Sequence, residues 1–430
     1  MKRSQALSIA AITVASAAAW AVRDDAANYP YVPYDHAAIR YEIDGSDNPI
    51  ARLQTKLDRG QVRLGFDPKW GYLPALLKQL DVNTDSQMLV FSKTSFQGPR
   101  ISPRKPRALY FNDNVAVGFV QDGDLMEFTT LDSRQGIVFY TMKRNRTIKP
   151  VFNRRVQECL NCHVFPGTLY VPGLVASSVI PGPDGAPRFV AAATIVDSRT
   201  PLEQRWGGWY VTGTSGALQH RGNSVSPDAA KPSELDLTNN QNLTSLAGRF
   251  DTTDYLAGGS DLVALLTLEH QTRMTNLLIR LGWEARIAQQ EGKLAQFSDR
   301  LTFLTDELVS YMLFVEEAPI HSPIKGVSSF TTTFPARGPR DRQGRSLRDF
   351  DLQKRLFRYP LSYMIYNAAF DALPAVAKER TYQKLFDVLT DRDQGERYSR
   401  LTPVDRKAIL EILRDTKPAL PGYWRTAAER

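Results

Sequence analysis

Cysteine is nearly missing from this chain, with two in 430 residues, Cys159 and Cys162. A disulfide framework is thereby excluded, and a zinc centre of four cysteines cannot form within one chain. Histidine is scarce as well: His36, His163, His220, His270 and His321 are all there are. Any imidazole ligand comes from that short set. Beyond the N-terminus no apolar run is long enough to read as a membrane helix, and no internal repeat is found. Neither sign of charge dominates: 54 Lys and Arg stand against 46 Asp and Glu, a net of +8. Much of that excess is local, so it does not argue for nucleic acid. Hydrophobic residues at 42% and charged residues at 23% exclude disorder, collagen or coiled coil as a description of the whole.

The N-terminus speaks to compartment. Lys2 and Arg3 precede an apolar, alanine-rich run from Ala6 to Val22, followed at once by Arg23, Asp24 and Asp25. Such an order reads as a secretory signal, and Ala17-Ala18-Ala19 or Ala19-Trp20-Ala21 fits small-x-small cleavage. The alternative is a retained anchor, for which the run is short against the roughly 20 residues of a bilayer span. In both cases the folded part is expected outside the cytoplasm, in the periplasm or otherwise exported. It is membrane-bound only if the segment is retained.

After residues 1–22 the pattern predicts an α+β protein. Residues 24 to about 60 read as an extended, tyrosine-rich arm. Strands are predicted at Val115–Val120, Leu125–Leu131 and Ile137–Met142, and a second pair at Leu174–Ile180 and Phe189–Val196. Trp209-Tyr210-Val211 makes a further short strand. The polar stretch from Gly213 to about Asn242 reads as a loop. Beyond it the period shifts to helical. Leu262, Leu266, His270, Met274 and Leu278 form one i, i+4 stripe over 261–281, closed by Gly282. Further helices are expected at 284–296, 299–315, 349–358, 361–372, 375–390 and 403–415. The chain therefore divides into a β-rich domain, 23–243, and a helical domain, 244–430.

Between the two sets of strands lies Cys159-Leu160-Asn161-Cys162-His163, the C-x-x-C-H pattern of covalent haem c attachment. Two residues between the thiols match the separation of the two vinyl groups on one porphyrin edge. The adjacent imidazole then becomes the proximal iron ligand. Attachment of this kind takes place outside the cytoplasm, which the N-terminus indicates independently. Three other uses compete. A thioredoxin-like pair wants C-x-x-C opening a helix in a βαβ unit, zinc would need Cys159, Cys162, His163 and a further histidine, and chance occurrence is the third.

The sixth iron position is open to several side chains. His270 and Met274 lie one turn apart on the apolar stripe, and each has a plain core role as its alternative. His220, beside Arg221, sits in the loop and can equally be a solvated loop histidine. His36 lies in the arm, and His321 reads as structural. An empty sixth position completes the set, and of these His270 is taken as the leading candidate. The arginine-rich stretch from Arg337 to Arg345, with Arg348, Arg355 and Arg358, suits haem propionates, an acidic redox partner, acidic lipid, or a solvated loop with local Asp pairs. Trp206, Trp209 and Tyr210 either wall a haem pocket or are ordinary core.

The C-x-x-C-H pentapeptide resembles the c-type cytochromes. More broadly, Phe91–Asn112 (FSKTSFQGPRISPRKPRALYFN), Glu203–Thr214 (EQRWGGWYVTGT), His220–Asn223 (HRGN) and Leu268–Gln271 (LEHQ) resemble a group of exported bacterial single-haem proteins of unsettled function. That likeness spans most of the chain beyond the signal and implies haem and export. It implies no substrate and no sixth ligand. A less direct similarity is to sensor-type haem c domains, in which a PAS-like sheet carries the motif in a loop; no output region follows here. The reading is therefore an exported single-haem c-type cytochrome acting in one-electron transfer with a redox partner protein. Cys159 and Cys162 hold the porphyrin, and His163 with His270 are the iron ligands. The alternative is a haem-dependent oxidoreductase or peroxidase with an open distal site.

Overall fold

The computed structural model describes residues 28–426 except 43–44, 147–148, 189–192 and 228–234, so residues 1–22 and part of the strand predicted at Phe189–Val196 lie outside the described residues. In chain order the helices are α1 (Pro49–Asp58), α2 (Leu73–Gln79), α3 (Gln157–His163), α4 (Leu262–Gln290), α5 (Ser298–Met312), α6 (Phe330–Ala336), α7 (Ala368–Asp371), α8 (Ala375–Leu389), α9 (Pro403–Thr416) and α10 (Tyr423–Thr426). The strands are β1 (Met88–Val90), β2 (Arg107–Phe111), β3 (Val115–Phe119), β4 (Leu125–Asp132), β5 (Gly136–Lys143), β6 (Asn153–Arg155), β7 (Ser177–Ser178) and β8 (Thr194–Ile195). The fold is α+β, with a sheet in the N-terminal half and helices in the C-terminal half.

β1 to β6 form one antiparallel sheet in chain order, and β7 pairs with β8 separately. The three predicted strands are present as β3, β4 and β5. Period-2 alternation sets their faces: Met126, Phe128 and Thr130 are buried, while Leu125, Glu127 and Thr129 are partly open. The β4–β5 turn is closed by Asp132, whose Oδ1 accepts from the Arg134 and Gln135 amides, both at 2.9 Å. Gly136 follows at φ +84°, a conformation that glycine takes without strain.

α4 runs through the middle of the molecule and is buried along most of its 29 residues. Asp261 caps it, accepting from Val263 N at 2.8 Å and Ala264 N at 3.2 Å. Gly282 does not end the helix, and the separate helix expected at 284–296 is its last turns. Gly282 has no positive φ and so keeps the helix going, and the Arg286 guanidinium one turn on occupies the space beside it. α5 packs on α4 and α8, and α8 on α9. Apolar residues from Tyr29 to Trp424 join in one buried cluster that draws on both halves.

Three expectations are corrected. The arm is not extended: Tyr29, Val32, Ile39 and Tyr41 are buried, the Tyr41 hydroxyl donates to Ile137 O at 2.6 Å, and Pro49 starts α1 behind an Asn48 cap. Residues 349–358 are not helical. Asp351 Oδ1 accepts from the amides of Gln353 and Lys354, Leu352 takes φ +58°, and Phe350 stacks on Phe357 at 5.3 Å. Trp209–Val211 forms no ladder beyond a single bridge from Trp209 to Val90.

Candidate haem-attachment site

α3 is two turns long and holds the whole pentapeptide. Cys159, Cys162 and His163 stand at i, i+3 and i+4, so the three side chains share one side of the helix. Cys159 is half-buried against the core, Cys162 is exposed, and both thiols are free. Burial, reinforced by Glu158 and Glu127, pushes the Cys159 thiol up to about 11. A redox or zinc cysteine needs the opposite shift, toward thiolate.

The imidazole of His163 is oriented. Its Nδ1 lies 2.8 Å from the carbonyl oxygen of Gly173. A carbonyl only accepts, so Nδ1 carries the proton and donates, which leaves the lone pair on Nε2. Nε2 makes no hydrogen bond to a described residue. Burial lowers the proton affinity of the ring, which favours the neutral, ligand-competent form.

The acceptor is itself fixed. Gly173 N donates to His163 O at 3.1 Å, closing the loop. Next to it, Asn276 of α4 accepts from Leu174 N and donates to Leu174 O, both at 2.9 Å. A Cβ on Gly173 would lie 2.5 Å from Asn276 Oδ1, so only glycine allows this approach. Gly173 and Asn276 escape sequence reasoning, because an asparagine inside an apolar helix carries no motif.

His163 packs on Phe139 of β5 at 4.7 Å between ring centroids. Register places Phe111, Ala116 and Thr129 in line with Phe139, and Leu109, Gly118 and Glu127 in line with Thr141. Leu109, Ala116, Glu127 and Thr129 on this face are half-buried, so the sheet beside the motif is not fully covered. Arg107 reaches across Gly118 to Glu127 at 2.6 Å.

The other candidates are placed elsewhere. His270 is fully buried: its Nε2 is 2.7 Å from Ser362 Oγ, and its ring stacks on Phe314 at 4.3 Å and Tyr311 at 5.3 Å, with Phe357 and Tyr363 close by. Burial takes it down to about 3. None of these residues is among the partners of His163, which are Gly173 and Phe139. Met274 is core. His220 is buried rather than in a solvated loop, with Nδ1 accepting from Gly222 N at 3.1 Å and its ring edge-on to Trp206 at 5.2 Å. His36 bonds Glu291 at 3.2 Å. His321 is exposed.

Trp206 is interior rather than open. Arg337, Arg340, Arg342, Arg345, Arg348 and Arg355 each pair with a carboxylate, which leaves little unneutralised charge on that loop. Three of the blocks behind the sequence resemblance meet in the interior. Arg205 Nη1 binds Glu269 Oε2 at 2.8 Å with both side chains about 3% exposed, Arg221 N donates to Arg205 O, and Trp206 meets His220.

Among the described residues no group of three or more His, Cys, Asp and Glu is gathered to hold a bare metal ion, and no helix is long and apolar enough to cross a membrane. A haem brings its own four nitrogen ligands and asks one imidazole of the chain. Comparison with family models, with curated proteins and with solved structures finds no match to this chain.

Proposed function

We propose that the chain is an exported c-type cytochrome carrying one covalent haem c and transferring single electrons to or from a redox partner protein. The observation that carries this reading is the Nδ1–H of His163 on the Gly173 carbonyl, which frees Nε2 in the form that ligates iron. The two thiols fit the tether: each S–H adds across one vinyl double bond, giving a thioether without a redox change. Cys162 is exposed for that reaction, and Cys159 lies at the rim of the core. When bound, the haem supplies a one-electron iron couple. The chain orients the proximal imidazole through Gly173 and fixes that loop through Asn276.

Export rests on the N-terminal sequence, and the PAS-like similarity rests on a sheet followed by an attachment segment. The rival chemistry, a haem-dependent oxidoreductase or peroxidase, needs an iron face free of protein ligands. The test is to express the chain with haem c maturation machinery and stain for haem on a denaturing gel. The reading expects covalent haem in the wild type and none in the Cys159→Ser, Cys162→Ser double variant. A wild type that carries no covalent haem sinks it.

A further inference from the structure

We infer that His163 is the only ligand the chain gives the iron, so that the sixth position is left to a small exogenous molecule. The inference rests on the haem c attachment proposed above and not on its electron-transfer role, since a free iron face is also what the rival oxidoreductase chemistry needs. Imidazole and thioether are the side chains that ordinarily fill that position. The chain has five histidines and seven methionines, and outside the described residues there is only Met1. Each of the others has a place in the fold that can be checked.

The six methionines among the described residues are all interior. Met88, Met126, Met142, Met274, Met312 and Met364 are at most 1% exposed. Met126 and Met142 pair across β4 and β5, and alternation turns them to the sheet face opposite Glu127, Thr141 and the motif. Among the histidines, His270 is bonded to Ser362 through Nε2, and its Nδ1, which has no hydrogen-bond partner among the described residues, is sealed among aromatic rings. His220 is packed on Trp206 inside the protein. His36 is tied at both nitrogens, to Glu291 and to the Ala38 amide. His321 lies in a loop whose next residue, Ser322, packs on Gly216.

The sheet face that His163 shares gives the same answer locally. Leu109, Ala116, Gly118 and Thr129 offer no ligand of either kind, and Met88, in line with Leu109 on edge strand β1, is fully buried. Glu127, the one carboxylate in that strip, is held by Arg107, Ser95 and Gln97.

The experiment uses the full exported chain, loaded with haem, and records ferric, ferrous and carbon-monoxide-treated visible spectra. The expected result is a high-spin ferric spectrum and a ferrous Soret band that shifts saturably with carbon monoxide. A stained, covalently bound haem whose low-spin ferrous α band is unmoved by carbon monoxide overturns this inference and leaves the haem c reading standing. Absence of covalent haem overturns both. As a second measurement, His220→Asn and His270→Phe are expected to leave the spin state unchanged; a change from low to high spin in either identifies a protein ligand and overturns the inference.

Discussion

Around His163 the chain is a short helix laid on a half-covered sheet, and the ring has one nitrogen bonded and one open. Around His270 the surroundings are closed: aromatic rings on several sides, a hydroxyl on Nε2, an Nδ1 buried without a hydrogen-bond partner among the described residues, and α5 packed across α4. Both imidazoles are kept neutral by burial. Neutrality alone therefore does not mark a ligand. Each ring has one nitrogen bonded and one without a partner among the described residues; what separates them is that the free Nδ1 of His270 is sealed in the interior, whereas His163 sits at a half-buried position beside the sheet.

The sharpest way to break the comparison is to exchange the losses. His270→Phe is expected to keep covalent haem on a denaturing gel, whereas Cys159→Ser with Cys162→Ser loses it completely. Next in size is the buried pair near His270. Glu269→Ala leaves Arg205 interior and unpaired, and is expected to cost about 3–5 kcal/mol in urea unfolding, with Glu269→Gln milder. His270→Ala in the apo protein opens a cavity among packed rings, at roughly 2–4 kcal/mol, against about 1 kcal/mol for His163→Ala, which gives up one hydrogen bond. Equal costs in denaturant titrations would mean that the two sites are not built differently.

Asn276→Ala removes two hydrogen bonds on Leu174 and is expected to cost about 1–2 kcal/mol. Because it loosens the Gly173 acceptor, it is also expected to raise the midpoint potential of the loaded protein, since a weaker Nδ1 hydrogen bond makes the imidazole a poorer donor. An unchanged potential would confine Asn276 to a structural role.

The smallest effect is a tilt in the acid profile. His270 is lowered to about 3 and His220 to about 4, from an ordinary 6.5. Between those values and 6.5 the unfolded chain binds protons that the folded chain refuses, so stability falls as pH drops through this window. Glu269, raised by burial to about 7 from 4.5, acts oppositely: the folded state keeps a proton that the unfolded state has released, so stability falls as pH rises. Melting temperatures from pH 4 to 7 are therefore expected to flatten below about 6.5 in His270→Phe and to rise more steeply between 4.5 and about 7 in Glu269→Gln. Parallel profiles would argue against these shifts.

Local patterns were legible in the residues. The meander of β3 to β5 was visible because turn residues and alternation agree there, and α5, α8 and α9 because each has a helical apolar stripe. The pentapeptide was visible because its chemistry is confined to five consecutive residues. Where long-range packing decides, the reading failed. Gly282 reads as a stop, but it has no positive φ, and α4, buried along most of its length, runs on through it. Residues 349–358 have helical spacing, yet the Asp351 turn and the Phe350–Phe357 stack prevail. His270 stands out by scarcity alone, and nothing in the spacing says that four rings from distant segments surround it.

The sequence by itself determined that this chain has one pair of thiols with an adjacent imidazole, behind an N-terminal segment that reads as an export signal, ahead of a β half and a helical half. Those properties lie in contiguous residues and need no knowledge of distant partners. Only the tertiary structure decided which nitrogen of His163 is free, because the loop of its acceptor Gly173 is held at the next residue, Leu174, by Asn276, 103 residues beyond Gly173 along the chain. It likewise decided that the other histidines and methionines have places of their own. Such contacts are set by packing between segments remote in sequence, and no local pattern records them.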